Sequence, residues 1–250
     1  MSKKTEKRQK EILELIYAQE EVKAYDLSQQ FHVSMETIRK DLAQMHEQGL
    51  LIKSHGGAKK KDTYNEIPID QKINENASDK KEIARKALQY IPDGGVIFLD
   101  PGSTTLALTK FLPLKKNLTI MTNSLMIANQ VSSMKHTLIF LGGRITKKGK
   151  AAVGLFTNTH LDAISIDVAF MGSDGFYHCD GPTTFSFDEM EVKQHVLSRS
   201  KQKILLADAS KFHKSGTYTY ANFSDFDYLI TYKINPVERR VIQGVQKIIA

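Results

Sequence analysis

The chain has 250 residues, 41% of them hydrophobic and 25% charged, with 35 Lys and Arg against 28 Asp and Glu for a net charge of +7. That length gives one or two globular domains with a full core, and the basic excess suits a polyanionic partner. One cysteine, Cys179, excludes an intramolecular disulfide and a cysteine-rich zinc site and makes a reducing, cytoplasmic setting the simpler expectation; no run nears the ~18 apolar residues of a membrane helix, and the polar first residues carry no signal-peptide core.

Residues 1–62 hold 12 Lys and Arg against 10 Asp and Glu, so affinity for a polyanion must come from placement. The basic groups cluster at Lys3 to Lys10, at Arg39 with Lys40, and at Lys53 to Lys61. Ile12, Leu13 and Ile16 share one face of a first helix over residues 6–19. Val22 and Lys23 suit a short extended piece, and Leu27 and Phe31 mark a short second helix ended by His32 and Val33. A turn of three or four residues then leads to Ser34, whose hydroxyl suits a helix N-cap. Ile38, Leu42 and Met45 fall at i, i+4, i+7 and predict a buried face, with Met35, Glu36, Arg39, Lys40 and Ala43 on the other side. The helix should stop near Gly49. Leu50 to Ile52 and then Lys53, Ser54, His55, Gly56 and Gly57 predict a basic two-stranded tip. A helix with a basic outer face and a basic tip is the pattern of a winged helix-turn-helix over residues 1–58. Ser34, Met35, Glu36, Thr37 and Arg39 are the candidates to meet bases, and Lys40, Lys53 and His55 to grip phosphates. A bland alternative is a small helical subdomain with wet charged faces.

Residues 59–78, rich in Lys, Asn and Asp, predict a linker with a short ordered middle. From residue 79 a second domain is expected. Ile83, Ala84, Ala87, Leu88 and Ile91 mark an amphipathic helix closed by Pro92, Asp93 and Gly94. Strand-like runs follow at Val96 to Leu99, Leu118 to Met121, Leu138 to Leu141, Val168 to Met171, Ile204 to Ala207 and Tyr228 to Ile230. Helix-like segments separate most of them, at Thr105 to Leu112, Leu125 to Val131, Phe187 to Ser200 and Pro236 to Ile249. The last carries Val237, Val241, Val245 and Ile248 on one face. Alternating strands and helices imply an α/β domain with a mostly parallel sheet covered on both faces.

Ligands of such sheets bind beyond the carboxyl ends of the strands. The loops there hold Asp100 with Gly102, Ser103, Thr104 and Thr105; Asn123 between Thr122 and Ser124; Arg144 after Gly142 and Gly143; Asp174 in Gly172 to Gly175; and Lys211 after Asp208 to Ser210. Small residues, hydroxyls and helix starts favour an anion, and Asn and Asp read hydroxyls, so a phosphorylated polyol or sugar fits the set. Any one of these loops alone is as well explained by a cap or turn.

Several enzyme motifs fail. Gly143 to Lys150 has five residues between its glycines where a phosphate loop has four, and Ala151 stands where Ser or Thr is needed. There is no dinucleotide fingerprint after a strand, no HExxH and no GxSxG. His178 beside Cys179 in a loop is poor geometry for a nucleophile and its base. No catalytic residue, cofactor or metal is expected.

The segments VSMETIRKDL and HEQGLLIKSHGGA, followed in order by LDPGSTT, TIMTNSL, LGGRI, FMGSDGF and LLADASKF, resemble the DeoR family of bacterial transcriptional regulators over nearly the whole chain. The resemblance implies a winged helix-turn-helix joined to a sensor domain similar to sugar-phosphate isomerases. It further implies Ser34 to His46 as recognition helix, an effector pocket lined by Asp100, Gly102 to Thr105, Asn123, Asp174 and Lys211, and operator DNA and a sugar phosphate as partners. Lys40 stands where the family usually has Arg, Pro101 where a smaller residue is usual, and TTFSFDEMEVKQHV matches only at Glu191 and Lys193. The expected function is a homodimeric or homotetrameric repressor of a carbohydrate-utilisation operon under sugar-phosphate control. The alternative is a sugar-phosphate isomerase or deaminase with an accessory front domain, for which Asp174 is the candidate base.

Overall fold

A computed structural model describes residues 3–19, 21–47, 50–60 and 66–250. The chain forms two compact units, Met1–Asp62 and Thr63–Ala250. The expected helix stop at Gly49 and the linker residues 61–65 lie outside the described residues.

In the first unit, helices span Lys3–Gln19, Ala24–Gln30 and Met35–Glu47. Strands Glu21–Lys23, Leu51–Ser54 and Gly57–Lys60 form an antiparallel sheet with Gly57–Lys60 in the middle, in the register Val22 to Ala58 and Ala58 to Lys53. The last strand runs two residues past the predicted end of the domain at Ala58. Ile12, Ile16, Leu27, Ile38, Leu42, Met45 and Leu51 are the core, the face that the apolar spacing predicted. Gly57 has no alternative here, because a Cβ would sit 2.0 Å from the carbonyl oxygen of Val22.

The second unit is built on a seven-stranded sheet. In spatial order it runs Lys247–Ile249, Tyr228–Ile230, Ser200–Leu206, Ile166–Met171, Val96–Leu99, Thr119–Thr122, Thr137–Phe140, and every neighbouring pair is parallel. Successive strand residues face opposite sides, as the pleat requires. Phe98, Ala169, Met171 and Leu205 pack with Val192 and Val196 of helix Phe187–Arg199. Ile97, Leu99, Phe170 and Leu206 pack with Ile83 of helix Ala77–Ala87, Leu108 of helix Ser103–Thr109 and Ile127 of helix Leu125–Val131. Two apolar layers thus cover one parallel sheet, the arrangement that alternating elements predict.

Two predictions need correction. The segment Ile69–Lys72, in the middle of the expected linker, is ordered as a short helix but belongs to the second unit, and the next helix starts at Ala77, ahead of the expected domain start at residue 79. The helix expected over Pro236 to Ile249 covers only Pro236–Val241; Lys247–Ile249 is the edge strand, paired with Tyr228–Ile230. Val237 and Val241 are exposed, whereas Ile242 and Val245 are buried. The helical spacing of valines across this segment therefore had no single face to bury.

Candidate functional site

The first unit presents one exposed basic surface of its own. Ser34 Oγ accepts from the Thr37 N–H at 3.2 Å and starts the Met35–Glu47 helix. Asp41, buried in the middle of that helix, accepts from Arg8 Nε at 2.6 Å and from Gln9 Nε2 at 3.1 Å. This bond fixes the helix against the first one, a role that sequence reading gave to apolar residues alone. Arg39 is fully on the outer side and forms no ion pair among the described residues. Lys40 is also exposed but pairs with Glu36 one turn back at 2.9 Å. Lys53 projects from the Leu51–Ser54 strand, and His55 sits in the tip beside Gly56, whose φ of +84° suits glycine. Met35 is a correction: it is half-buried and packs on the core, so its side chain is not part of the outer face. Arg39, Lys53 and His55 remain exposed, with Glu36 modulating Lys40.

In the second unit the strand order reverses at one place. From Val96–Leu99 the chain steps to Thr119–Thr122 and Thr137–Phe140 on one side, then returns to Ile166–Met171, Ser200–Leu206, Tyr228–Ile230 and Lys247–Ile249 on the other. A crevice opens beyond the carboxyl ends of strands at such a switch point. Here it is lined by Gly102 to Thr105, Gly172 to Asp174, Lys211, and also Lys72, Glu189, Lys193 and Glu66.

Its floor is a buried ion pair. Asp100 Oδ2 accepts from Lys193 Nζ and, at 2.8 Å, from the Gly172 N–H; the two side chains are 1% and 8% exposed. Tyr220 lies under the Lys193 ammonium at 5.0 Å and donates its hydroxyl to the Gly172 carbonyl at 2.7 Å. This lattice ties the loops after the two switch-point strands together. Asp100 therefore holds the site from beneath and does not line it.

Above the floor, Asp174 accepts from Lys72 Nζ at 2.6 Å. Burial alone raises the Asp174 pKa, but the Lys72 and Lys211 charges outweigh it and hold the carboxyl below its usual range. A carboxylate held ionised in this way is a weak proton acceptor, which removes the ground for Asp174 as a general base. Lys211 follows Asp208, whose side chain accepts from the Ser210 N–H at 3.0 Å, and its own ammonium forms no ion pair among the described residues. On the opposite wall Glu189 accepts from the Thr184 hydroxyl at 2.9 Å. Burial first, then the Asp174 charge, pushes the Glu189 pKa up to about 7. Thr105 spends its hydroxyl on the Asp100 and Gly102 carbonyls at 2.6 and 2.9 Å, and Ser173 bridges the Gly175 and Thr183 carbonyls. Ser103 and Thr104 line the crevice without such bonds.

Asn123 and Arg144 are not brought to this crevice. Asn123 is buried and donates to the Ala152 carbonyl at 2.8 Å, pinning the strand Ala152–Val153. Arg144 is exposed and pairs with Asp188. Of the loop that carries Arg144, only Gly149 lines the crevice. Sequence reasoning missed Lys72 and Glu66, which lie in the stretch it read as linker. It also missed Glu189, set in the segment with the weakest motif match. Cys179 donates to the Tyr177 carbonyl at 3.3 Å and burial raises its thiol pKa, so it is not an activated thiolate.

The model of the DeoR-like helix-turn-helix domain matches residues 8–63, and that of the DeoR C terminal sensor domain matches residues 75–233. The HTH-type transcriptional regulator IolR of Bacillus subtilis (strain 168) is 34% identical over 222 residues, 88% of this chain and 88% of its own. The chain belongs to the DeoR family. Another relative, the glycerol-3-phosphate regulon repressor of Escherichia coli (strain K12), is 30% identical over 227 residues, 90% of each chain. Among solved structures, ribose 5 phosphate isomerase A of Neisseria gonorrhoeae aligns with 53% of this chain and 52% of its own, at a TM-score of 0.39 and 19% identity. As a DeoR-family transcriptional regulator the chain pairs a DNA-binding helix-turn-helix with a sensor domain. Among the described residues no helix is long and apolar enough to cross a membrane.

Proposed function

We propose that this protein is a repressor of a carbohydrate-utilisation operon whose operator affinity is set by a sugar phosphate bound in the switch-point crevice. The observation that supports it best is the set of groups lining the crevice: Lys211, which has no ion-pair partner among the described residues, with Ser103 and Thr104 and the carboxylates of Asp174 and Glu189. Cations and hydroxyls suit a phosphate, and carboxylates suit the hydroxyls of a polyol. Arg39 meets base edges, while Lys53 and His55 meet the phosphate backbone. The regulator acts as a homodimer or homotetramer, matching a symmetric operator.

The test is a thermal-shift screen of the full chain with glycerol 3-phosphate, ribose 5-phosphate, fructose 1-phosphate and glucose 6-phosphate, followed by turnover assays of whichever bind. A sugar phosphate at 100 times its Kd stabilises by about 2.7 kcal/mol, an easily read rise in melting temperature. Stabilisation without turnover is expected. A second reading, proton transfer on the same sugar phosphate, draws on Glu189, whose pKa of about 7 suits a general base. Isomerised product in the turnover assay replaces the sensor reading with it.

A further inference from the structure

One residue lining the crevice, Lys72, comes from outside the sequence motifs. Lys72 ends the short helix Ile69–Lys72 and reaches across to Asp174, the two side chains only 18% and 15% exposed. The backbone behind it is fastened at several points. The Ile69 N–H donates to the Lys148 carbonyl at 2.9 Å, and Lys150 pairs with Asp70 at 2.7 Å. On the other side Lys80, itself buried, donates to the carbonyls of Lys72 and Glu75, and Asn76 donates to Asp208 at 3.2 Å. Residues 69–76 thus form a strap held to the crevice wall, with the Lys72 ammonium as its contact with the interior.

The crevice beneath has a volume of about 50 Å³, against the roughly 300 Å³ or more of ordinary ligand pockets. A sugar phosphate enters only if a side chain that fills the site moves. The floor pair of Asp100 and Lys193 is tied into the sheet by Gly172 and Tyr220, whereas the Lys72–Asp174 pair stands in the lining, with no such ties to the Lys72 ammonium beyond Asp174 among the described residues. A phosphate group offers Lys72 a doubly charged partner, and Asp174, released from it, is free to accept from a sugar hydroxyl while Lys211 keeps it ionised.

We propose that Lys72 is an effector-reading residue: the phosphate of the bound sugar takes its ammonium from Asp174, and this exchange of partner shifts the strap of residues 69–76. The inference rests on the reading of the crevice as a sugar-phosphate site. It adds that the signal leaves the site through the first helix of the sensor unit, which follows the last strand of the winged helix, Gly57–Lys60, by nine positions in sequence. It also explains why a lysine is needed in a stretch otherwise composed like a linker.

The experiment uses the full chain and the tightest binder among glycerol 3-phosphate, ribose 5-phosphate, fructose 1-phosphate and glucose 6-phosphate. Its Kd is measured by calorimetry for wild type, Lys72→Gln and Lys72→Arg. Lys72→Gln is expected to weaken binding at least tenfold, with Lys72→Arg within about threefold of wild type, because a cation and not the packing of the side chain is required. Hydrogen exchange supplies the second readout: saturating the wild type should change protection at amides 69–76, and saturating Lys72→Gln should change amides 102–105 and 172–175 only. Equal affinities for wild type and Lys72→Gln, or unchanged exchange at 69–76 in a saturated wild type, overturn the role of Lys72 and leave the sugar-phosphate site standing. No binding by any of the four to wild type overturns both.

Discussion

The two units use charge in opposite ways. In the winged helix the groups expected to act are exposed and nearly independent: Arg39, Lys53 and His55 stand on a scaffold whose only buried charge contact joins Asp41 to Arg8 among the described residues. In the crevice the acting groups are buried and interlocked, with Asp100 on Lys193 and Asp174 on Lys72. Exposed charges meet a partner that brings its own counter-charge, and they contribute little to folding. Buried charges must be paired within the protein itself, so these groups are also structural elements of the fold. A single substitution therefore damages recognition alone in the first unit and stability together with recognition in the second.

The sharpest way to break that contrast is at the crevice floor. Lys193→Ala leaves Asp100 without its counter-charge in a site only 1% exposed, and the expected loss is about 3–5 kcal/mol of folding stability. The double variant Asp100→Asn with Lys193→Met should recover most of it, since the buried charge is then gone. Urea denaturation of the full chain measures both. A loss below about 1 kcal/mol for Lys193→Ala means that the floor is not held by this pair. Next in size is Arg39→Ala, which should leave stability within about 0.5 kcal/mol but cost roughly 1–3 kcal/mol in binding a duplex selected from a random pool, with relaxed specificity. Lys53→Ala should instead weaken all duplexes alike and lower the salt slope by about one. Equal binding by Arg39→Ala and wild type removes Arg39 from base recognition.

The same contrast decides what could be read from sequence. The recognition helix was legible because its buried face repeats at i, i+4, i+7 in Ile38, Leu42 and Met45, and its acting groups lie on one continuous stretch. Six of the seven sheet strands were legible as apolar runs. The seventh, Lys247–Ile249, was hidden because three residues are too few to show a strand period and the valines before it imitate a helix. The crevice was legible at the loops after Val96–Leu99, Ile166–Met171 and Ser200–Leu206, through Gly102 to Thr105, Asp174 and Lys211. Every strand end looked alike in chemistry, and only the folded loops separate Gly102 to Thr105 and Asp174, which line the crevice, from Asn123 and Arg144, which do not. Lys72 and Glu189 carry no local signal at all: one lies in a polar stretch and acquires its role by pairing with Asp174, the other lies on a helix face and acquires its role from burial first and then from the Asp174 charge.

Acid–base behaviour gives a smaller effect confined to the crevice. Glu189 has its pKa raised from 4.5 to about 7, so the folded protein holds a proton there that the unfolded chain gives up. Its contribution to stability is complete below pH 4.5 and is lost as pH rises through 7. An anionic ligand disfavours the ionised form further. Affinity for a sugar phosphate should then fall as pH rises from 7 to 8.5, where the ligand's own charge is constant, by at most tenfold per pH unit. The charged groups around Glu189 are Asp174, Lys193, Glu66 and Lys72, and none of them is a histidine. Glu189→Gln should flatten the profile. A slope that survives in Glu189→Gln belongs to Lys80, whose burial lowers its pKa to about 8. An identical profile in both proteins removes Glu189 from the ligand's surroundings.

The smallest effect is expected where the geometry looks most like the crevice. Lys40 and Glu36 stand 2.9 Å apart, close to the 2.6 Å of Lys72 and Asp174, yet their side chains are 77% and 76% exposed. A pair one helical turn apart in water is worth about 0.3–0.5 kcal/mol, so Lys40→Ala should move the urea midpoint barely beyond error. Its expected effect is on DNA binding. Held to Glu36, Lys40 offers phosphates a partly neutralised charge, and Glu36→Gln releases it. Glu36→Gln should tighten binding to every duplex in low salt and raise the salt slope by up to about one, with Lys40→Ala moving both the other way. If Glu36→Gln leaves the salt slope where it was, Lys40 does not reach the DNA backbone, and the basic face of the winged helix is Arg39, Lys53 and His55 alone.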